Sequence, residues 1–162
     1  MIYYTSFNTP IGKIFISKTS KGINLITWQK SEWDGYYQKN KEQLKKDDNK
    51  LKSLKDKMKK YFSGEKVIFK EKLDLLTGTM LEKRIWKDMQ KIPYGQTRSY
   101  KWLASKAGNR KLARAVGGAC SRNPIPIIIP CHRVIKSDGG LGGFAGGLDK
   151  KKKLLKIEKC GK

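Results

Sequence analysis

N-P-I-P-I-I-I-P-C-H-R-V, the stretch from Asn123 to Val134, decides how this chain is read. Prolines at 124, 126 and 130 remove backbone donors and fix φ, so a regular helix cannot form here. The segment is expected to be rigid, extended and apolar, with Ile127 to Ile129 as buried strand. Cys131 then stands where a stiff backbone leaves the core, beside His132, the single histidine of the chain. A cysteine is a useful nucleophile only as thiolate, which a neighbouring base or positive charge makes accessible. Adjacent residues on an extended segment point to opposite sides, so His132 is expected to reach the sulfur through a bend or a water molecule. A structural cysteine beside a satisfied core histidine is the alternative that adjacency leaves open.

Downstream, Lys136 to Gly140 reads as a turn, and Gly139 to Gly147 as a loop with room for a flat ligand. Gly140-x-Gly142-x-x-Ala145 superficially matches a dinucleotide fingerprint, but it opens no helix directly and lacks a βαβ unit. A final basic helix is expected over 149–159, with Leu148, Leu154 and Leu155 on its apolar face. Glu158 falls on that same face, where a carboxylate needs a partner. His132 is an economical one, since a glutamate accepting the imidazole N–H fixes the tautomer and completes a Cys-His-Glu relay.

Upstream, Thr79-x-x-Glu82 is a capping box before Leu81, Ile85, Trp86 and Met89, and Pro93 and Gly95 close that helix. Ser99 can cap a helix carrying Tyr100, Leu103, Ala104 and Ala107. Gly108-Asn109 then turns into a second helix burying Leu112, Ala115 and Val116. Two short helices around a glycine turn suggest helix-turn-helix, although an ordinary helical hairpin has the same pattern. Arg110, Lys111 and Arg114 decorate the second helix, whose small residues Ala115, Gly117, Gly118 and Ala119 permit a close backbone approach. Before all this, β-prone runs from Ile2 to Trp28 read as an antiparallel meander. A lysine-rich helix follows within 38–60, with Leu51, Leu54, Met58 and Tyr61 at helical spacing; its lysines read as a solvated face. The expected fold class is α/β (α+β). Residues 1–76 form a small β-rich part with one basic helix, and 77–162 a mostly helical second domain.

The balance of 37 Lys+Arg against 14 Asp+Glu gives a formal charge of +23 over 162 residues, which self-repels unless a polyanion screens it. Nucleic acid is the expected partner. No apolar run is long enough for a membrane span and the N-terminus shows no signal-peptide pattern, so a cytoplasmic protein is expected. Cys120, Cys131 and Cys160 are odd in number and lack framework spacing, which excludes a disulfide scaffold and a zinc ribbon. Cys120 reads as a small packing residue and Cys160 as an exposed terminal thiol.

The run P-C-H-R-V at Pro130 to Val134, preceded by A-R-A-V-G-G-A at Ala113 to Ala119 and N-P-I-P-I-I-I-P at Asn123 to Pro130, resembles the O6-alkylguanine-DNA alkyltransferases, also called methylated-DNA-protein-cysteine methyltransferases. The similarity continues through P-Y-G-Q-T-R-S-Y at Pro93 to Tyr100 and G-G-F-A-G-G-L at Gly142 to Leu148, covering essentially the C-terminal half. The resemblance implies that Cys131 is the alkyl acceptor, His132 a base acting through water, and Glu158 the carboxylate holding His132. It further implies that Tyr100 donates to a ring nitrogen of the departing guanine and that Arg114 fills the hole left by a flipped nucleotide. Asn123 becomes the hinge after the recognition helix, and Ser99, Ala115 and Gly118 belong to the DNA-facing set. Val134, Phe144, Ala145 and Gly146 line the base pocket. The implied partner is double-stranded DNA containing O6-alkylguanine, met by a monomer in the minor groove without cofactor or metal.

Two departures stand out. Phe144-Ala145 occurs where some relatives carry Tyr-Ser, which removes a hydroxyl that could contact the substrate oxygen. The chain has no cysteine or histidine before Cys120, so the zinc site of some N-terminal domains cannot exist here. The competing enzyme class is a multiple-turnover Cys-His hydrolase, which needs an oxyanion hole. The competing binding class is a helix-turn-helix regulator or a lesion binder; the presence of Cys131 and the lack of base-reading polar residues on the second helix argue against it.

Overall fold

The structure, a computed structural model, describes residues 1–160 apart from the Cys160 side chain, so the reading of Cys160 lies outside the described residues. Strands β1 (Ile2–Thr9), β2 (Gly12–Lys18) and β3 (Ile23–Thr27) make the expected antiparallel meander. Helix α1 (Lys30–Asn40) leads to β4 (Leu44–Lys46), which pairs parallel with β1 and gives the order β3-β2-β1-β4. The sheet is therefore mixed, where the sequence reading had only antiparallel strands and one helix. Neither element announces itself by pattern. Among the described residues α1 buries Trp33, stacked 4.8 Å from Phe15, and β4 is a three-residue edge strand with two lysines. One aromatic anchor has no 3.6-residue period to detect. Helix α2 (Lys52–Phe62) does follow its spacing, burying Leu54, Met58, Tyr61 and Phe62 while lysines cover the outer face.

The second half begins with α3 (Met80–Met89), whose capping box is complete in both directions between Thr79 and Glu82. The two-residue strand β5 (Arg98–Ser99) pairs in parallel with β6 (Val134–Ile135). Ser99 Oγ accepts from the Trp102 amide at 3.0 Å and so starts α4 (Tyr100–Lys106). Gly108 at φ 114° and a 3-10 turn over Arg110–Leu112 deliver the chain to α5 (Ala113–Ser121). The Trp86 indole N–H donates to Ala119 O at 2.8 Å, satisfying a buried donor and tying α5 to α3. One hydrophobic core runs through both halves, joining Ile14 and Ile16, Met58 and Tyr61, Ile85, Leu103, Val116 and Ile129.

The deciding stretch is buried as expected, but it is not a strand. Pro126 and Ile129 form an isolated bridge around a tight turn in which Ile127 holds φ 74°. A β-branched residue there costs about 1–3 kcal/mol. Asn123 holds the turn's ends together, accepting from Ile125 N at 2.9 Å and donating to Ile129 O at 2.8 Å. Cys131–Arg133 then form a single 3-10 turn leading into β6. Helix α6 (Leu148–Cys160) buries Lys151, Leu154 and Glu158 on one face. Leu148, expected on that face, is 47% exposed because it opens the helix at the loop. No helix among the described residues is long and apolar enough to cross a membrane.

Candidate active site

The turn that carries Cys131 and His132 packs against α6, and this single contact assembles most of the chemistry. His132 is fully buried and its Nε2 faces Glu158 Oε2. Arg133 Nε donates to Glu158 Oε1 at 2.9 Å, and the Gly95 amide donates to the same oxygen at 3.1 Å. Tyr61 Oη donates to Oε2 at 2.7 Å and Arg133 Nη2 to Oε2 at 3.2 Å. Burial opposes ionisation of Glu158, but the hydrogen bonds from His132 and Arg133 and the charge of the Arg133 guanidinium outweigh it and hold the carboxyl well below the usual range. An ionised Glu158 fixes the proton of neutral His132 on Nε2. Nδ1 then carries the lone pair, and it has no hydrogen-bond partner among the described residues. Burial drives the His132 pKa down despite the opposing pull of Glu158, which keeps the imidazole a neutral acceptor.

Cys131 is buried and its thiol is pushed up by burial, with the Asn123 side chain and the Lys151 charge opposing. The resting sulfur is therefore a thiol. A preformed thiolate would have needed net positive surroundings that burial overrides, so proton removal belongs to the moment of reaction. Cys120 lies near Cys131, and burial raises its pKa as well.

Two cavities meet beside these thiols. One, about 600 Å³, is lined by Tyr100, Arg114, Gly117, Cys120, Phe144 and Ala145 among others. The other, about 320 Å³, is lined by Trp28, Cys120, Asn123, Pro126, Cys131 and again Phe144 and Ala145. Both are of small-molecule size. A third cavity, about 830 Å³, is lined by Phe69, Leu73, Trp86, Tyr94 and Arg133 among others, and Cys131 is not part of its lining. Tyr100 keeps its phenolic proton, its pKa pushed up to about 12 by burial and then by the neighbouring Cys120 and Cys131. Gly142 at φ 72° lies so close to the Tyr100 ring that a Cβ would come within 2.8 Å of Cε2. Arg114 stands exposed at the rim.

The other expected site residues are distributed unequally. Phe144 and Ala145 line both cavities, whereas Gly146 packs against the Trp28 indole, which stacks 5.7 Å from Phe144. Val134 is buried and its carbonyl accepts from Lys151 Nζ at 2.7 Å. Ser99 spends its hydroxyl on the α4 cap. Of the small residues on α5, Gly118 is covered by the Arg122 guanidinium while Gly117 has open space. Ala115 is half-buried on the same helix.

Four contributors were not foreseen. Lys151 is fully buried and its ammonium also binds the carbonyls of Leu141 and Gly143, fastening the glycine loop to α6. Its spacing of three, four and seven residues before Leu154, Leu155 and Glu158 was a usable signal, hidden in a run of four lysines. Arg133 is 7% exposed, two residues past the point where the backbone was expected to leave the core. Tyr61 and Trp28 come from the other half of the chain, and no local pattern points their side chains here.

Residues 80–160 match the family model described as 6-O-methylguanine DNA methyltransferase, DNA binding domain. Residues 2–75 match the one described as 6-O-methylguanine DNA methyltransferase, ribonuclease-like domain. A methylated-DNA-protein-cysteine methyltransferase of Methanosarcina acetivorans is 40% identical over 161 residues, covering 97% of this chain and 98% of the relative. The constitutive enzyme of that name from Bacillus subtilis is 35% identical, covering 98% of this chain and 96% of its own. The crystal structure of Mycobacterium tuberculosis OGT in complex with DNA superimposes with TM-score 0.84 at 36% identity, over 97% of this chain and 92% of that one. The fold, the buried Cys-His-Glu cluster and full-length similarity agree: this chain belongs to the methylated-DNA-protein-cysteine methyltransferase family.

Proposed function

We propose that this protein repairs DNA by direct reversal, moving the alkyl group of O6-alkylguanine onto its own Cys131. The observation that carries the reading is the buried His132, its Nε2 held by Glu158 and its Nδ1 without a partner among the described residues, next in sequence to Cys131, which lines the Asn123 and Trp28 cavity. In this reading α4 and α5 act as a helix-turn-helix on the duplex, and the small α5 face tolerates close approach to the minor groove. The substrate nucleotide leaves the stack, Arg114 fills its place, and the base enters beside Tyr100, Phe144 and Ala145. His132 Nδ1 takes the Cys131 proton through a water molecule. The sulfur electron pair forms the S–C bond as the C–O bond breaks, and the electrons pass into the guanine ring system. Tyr100 Oη donates to a ring nitrogen, which makes the purine a better leaving group. The thioether product has no ready leaving reaction, so each protein molecule acts once, as a monomer, without cofactor. The net charge of +23 supports a nucleic-acid partner.

Intact-mass spectrometry after incubation with a duplex bearing one O6-methylguanine tests this. The expected result is one added methyl per protein, mapped to Cys131, and none in Cys131→Ser, which still binds the duplex. Multiple turnover, or an adduct on another residue, refutes the proposal.

A further inference from the structure

We propose that Tyr61, contributed by α2 from the other half of the chain, is a positioning residue for alkyl transfer: its hydroxyl fixes the Glu158 carboxylate and moderates how strongly that carboxylate holds the His132 imidazole. This rests on the reading of His132 as the base.

The Tyr61 ring is fully buried, with ring contacts to Phe62, Phe69 and Tyr94 that a phenylalanine would make equally well. A buried hydroxyl is costly unless bonded, so the oxygen is explained by its partner and not by packing. That partner is Glu158 Oε2 at 2.7 Å, the oxygen that also faces His132 Nε2, and Tyr61 Oη lies 3.4 Å from that nitrogen. Burial, then the charge of Glu158, hold the phenol well above its ordinary pKa, so it remains a donor at every working pH. Each donor to a carboxylate drains negative charge from it and weakens its attraction for an imidazolium. The other groups bearing on His132 are Glu158 and Lys151 from α6, and Arg133 and Cys131 from its own turn. Tyr94, whose ring lies 6.2 Å from Tyr61 and 5.8 Å from the Arg133 guanidinium, completes the surroundings. Removing the Tyr61 hydroxyl alters the carboxylate without changing the charge of any of them.

Tyr61→Phe therefore leaves Glu158 a stronger acceptor, favours the imidazolium, and moves the His132 titration upward by about one pH unit. Because the chain has one histidine, labelled-histidine NMR reads that ring alone, independently of repair. The expected result is an upward midpoint shift in Tyr61→Phe, matched by the acid limb of the single-turnover rate, with the alkaline plateau within about twofold of the parent. In a Glu158→Gln background the same change shifts nothing. A midpoint that stays or falls, or a loss of rate equal at every pH, overturns the proposal. A midpoint that rises while the rate profile stays put supports the Tyr61 coupling and refutes His132 as the base. Should Tyr61→Phe fail to fold, the parent decides: a slowly exchanging Tyr61 hydroxyl proton with a cross-peak to the His132 ring is expected, and its absence overturns the proposal.

Discussion

Replacing Lys151 by methionine isolates the anchor of the glycine loop. The ammonium is fully buried and donates to Val134 O at 2.7 Å, to Leu141 O at 2.5 Å and to Gly143 O at 3.3 Å. Hydrogen bonds from a charged donor are worth about 1.5–3 kcal/mol each, so the three together are worth several. Against this stands the desolvation of a buried ammonium, also several kcal/mol, visible in the lowering of the Lys151 pKa by burial. Methionine removes both terms and nearly preserves volume. What remains is the stranded Val134 carbonyl, about 1–3 kcal/mol, plus loss of order in a loop whose other two carbonyls lie nearer the surface and can turn to water. A net loss of about 2–3 kcal/mol follows, read by urea denaturation as a lower midpoint with unchanged slope. Because Tyr100, Phe144 and Ala145 rely on that loop for their spacing, single-turnover methyl transfer is expected to slow by about tenfold or more while duplex affinity stays within about twofold. A loss below about 0.5 kcal/mol, or an unchanged transfer rate, would show that the ammonium does not hold the loop.

Gly142→Ala should destabilise by about 1–2 kcal/mol through its positive φ, and it should slow transfer by displacing the Tyr100 ring, as single-turnover kinetics would reveal. His132 and Glu158 both have pKa values lowered on folding, so the unfolded chain binds the extra protons and stability is lost as the pH is lowered. The loss should begin below about pH 6.5 for His132 and continue below about 4.3 for Glu158. Thermal melts across pH 7 to 3 should show it, with the lower step reduced in Glu158→Gln. Duplex affinity should fall steeply with salt, and Arg114→Ala should weaken it while sparing the thermal midpoint. A flat salt dependence would contradict the electrostatic role assigned to the basic surface.

How far each element was legible depended on whether its cause was local. The capping box at Thr79, the Ser99 cap and the apolar spacing of α2 are short-range consequences of side-chain chemistry, and the structure keeps all three. Glu158 was found for the same reason, because helical spacing from Leu154 and Leu155 placed a carboxylate on a buried face. The 127–129 strand failed because prolines exclude a helix without selecting what replaces it, and core packing selects a turn with Ile127 left-handed. Leu148 failed because a helix-opening residue does not share the burial of the face behind it.

What amino-acid order by itself determined was therefore a cysteine beside the single histidine, a carboxylate on the buried face of the last helix, and the polyanionic class of partner implied by +23 charges. Only tertiary structure decided that Glu158 would be shared among His132, Arg133, Tyr61 and the Gly95 amide, and that a lysine would be buried to fasten the loop. Tyr61 and Glu158 lie 97 residues apart. Periodicity reports which face of an element is buried, while the identity of what meets that face is set by packing between distant segments, and no local pattern encodes it.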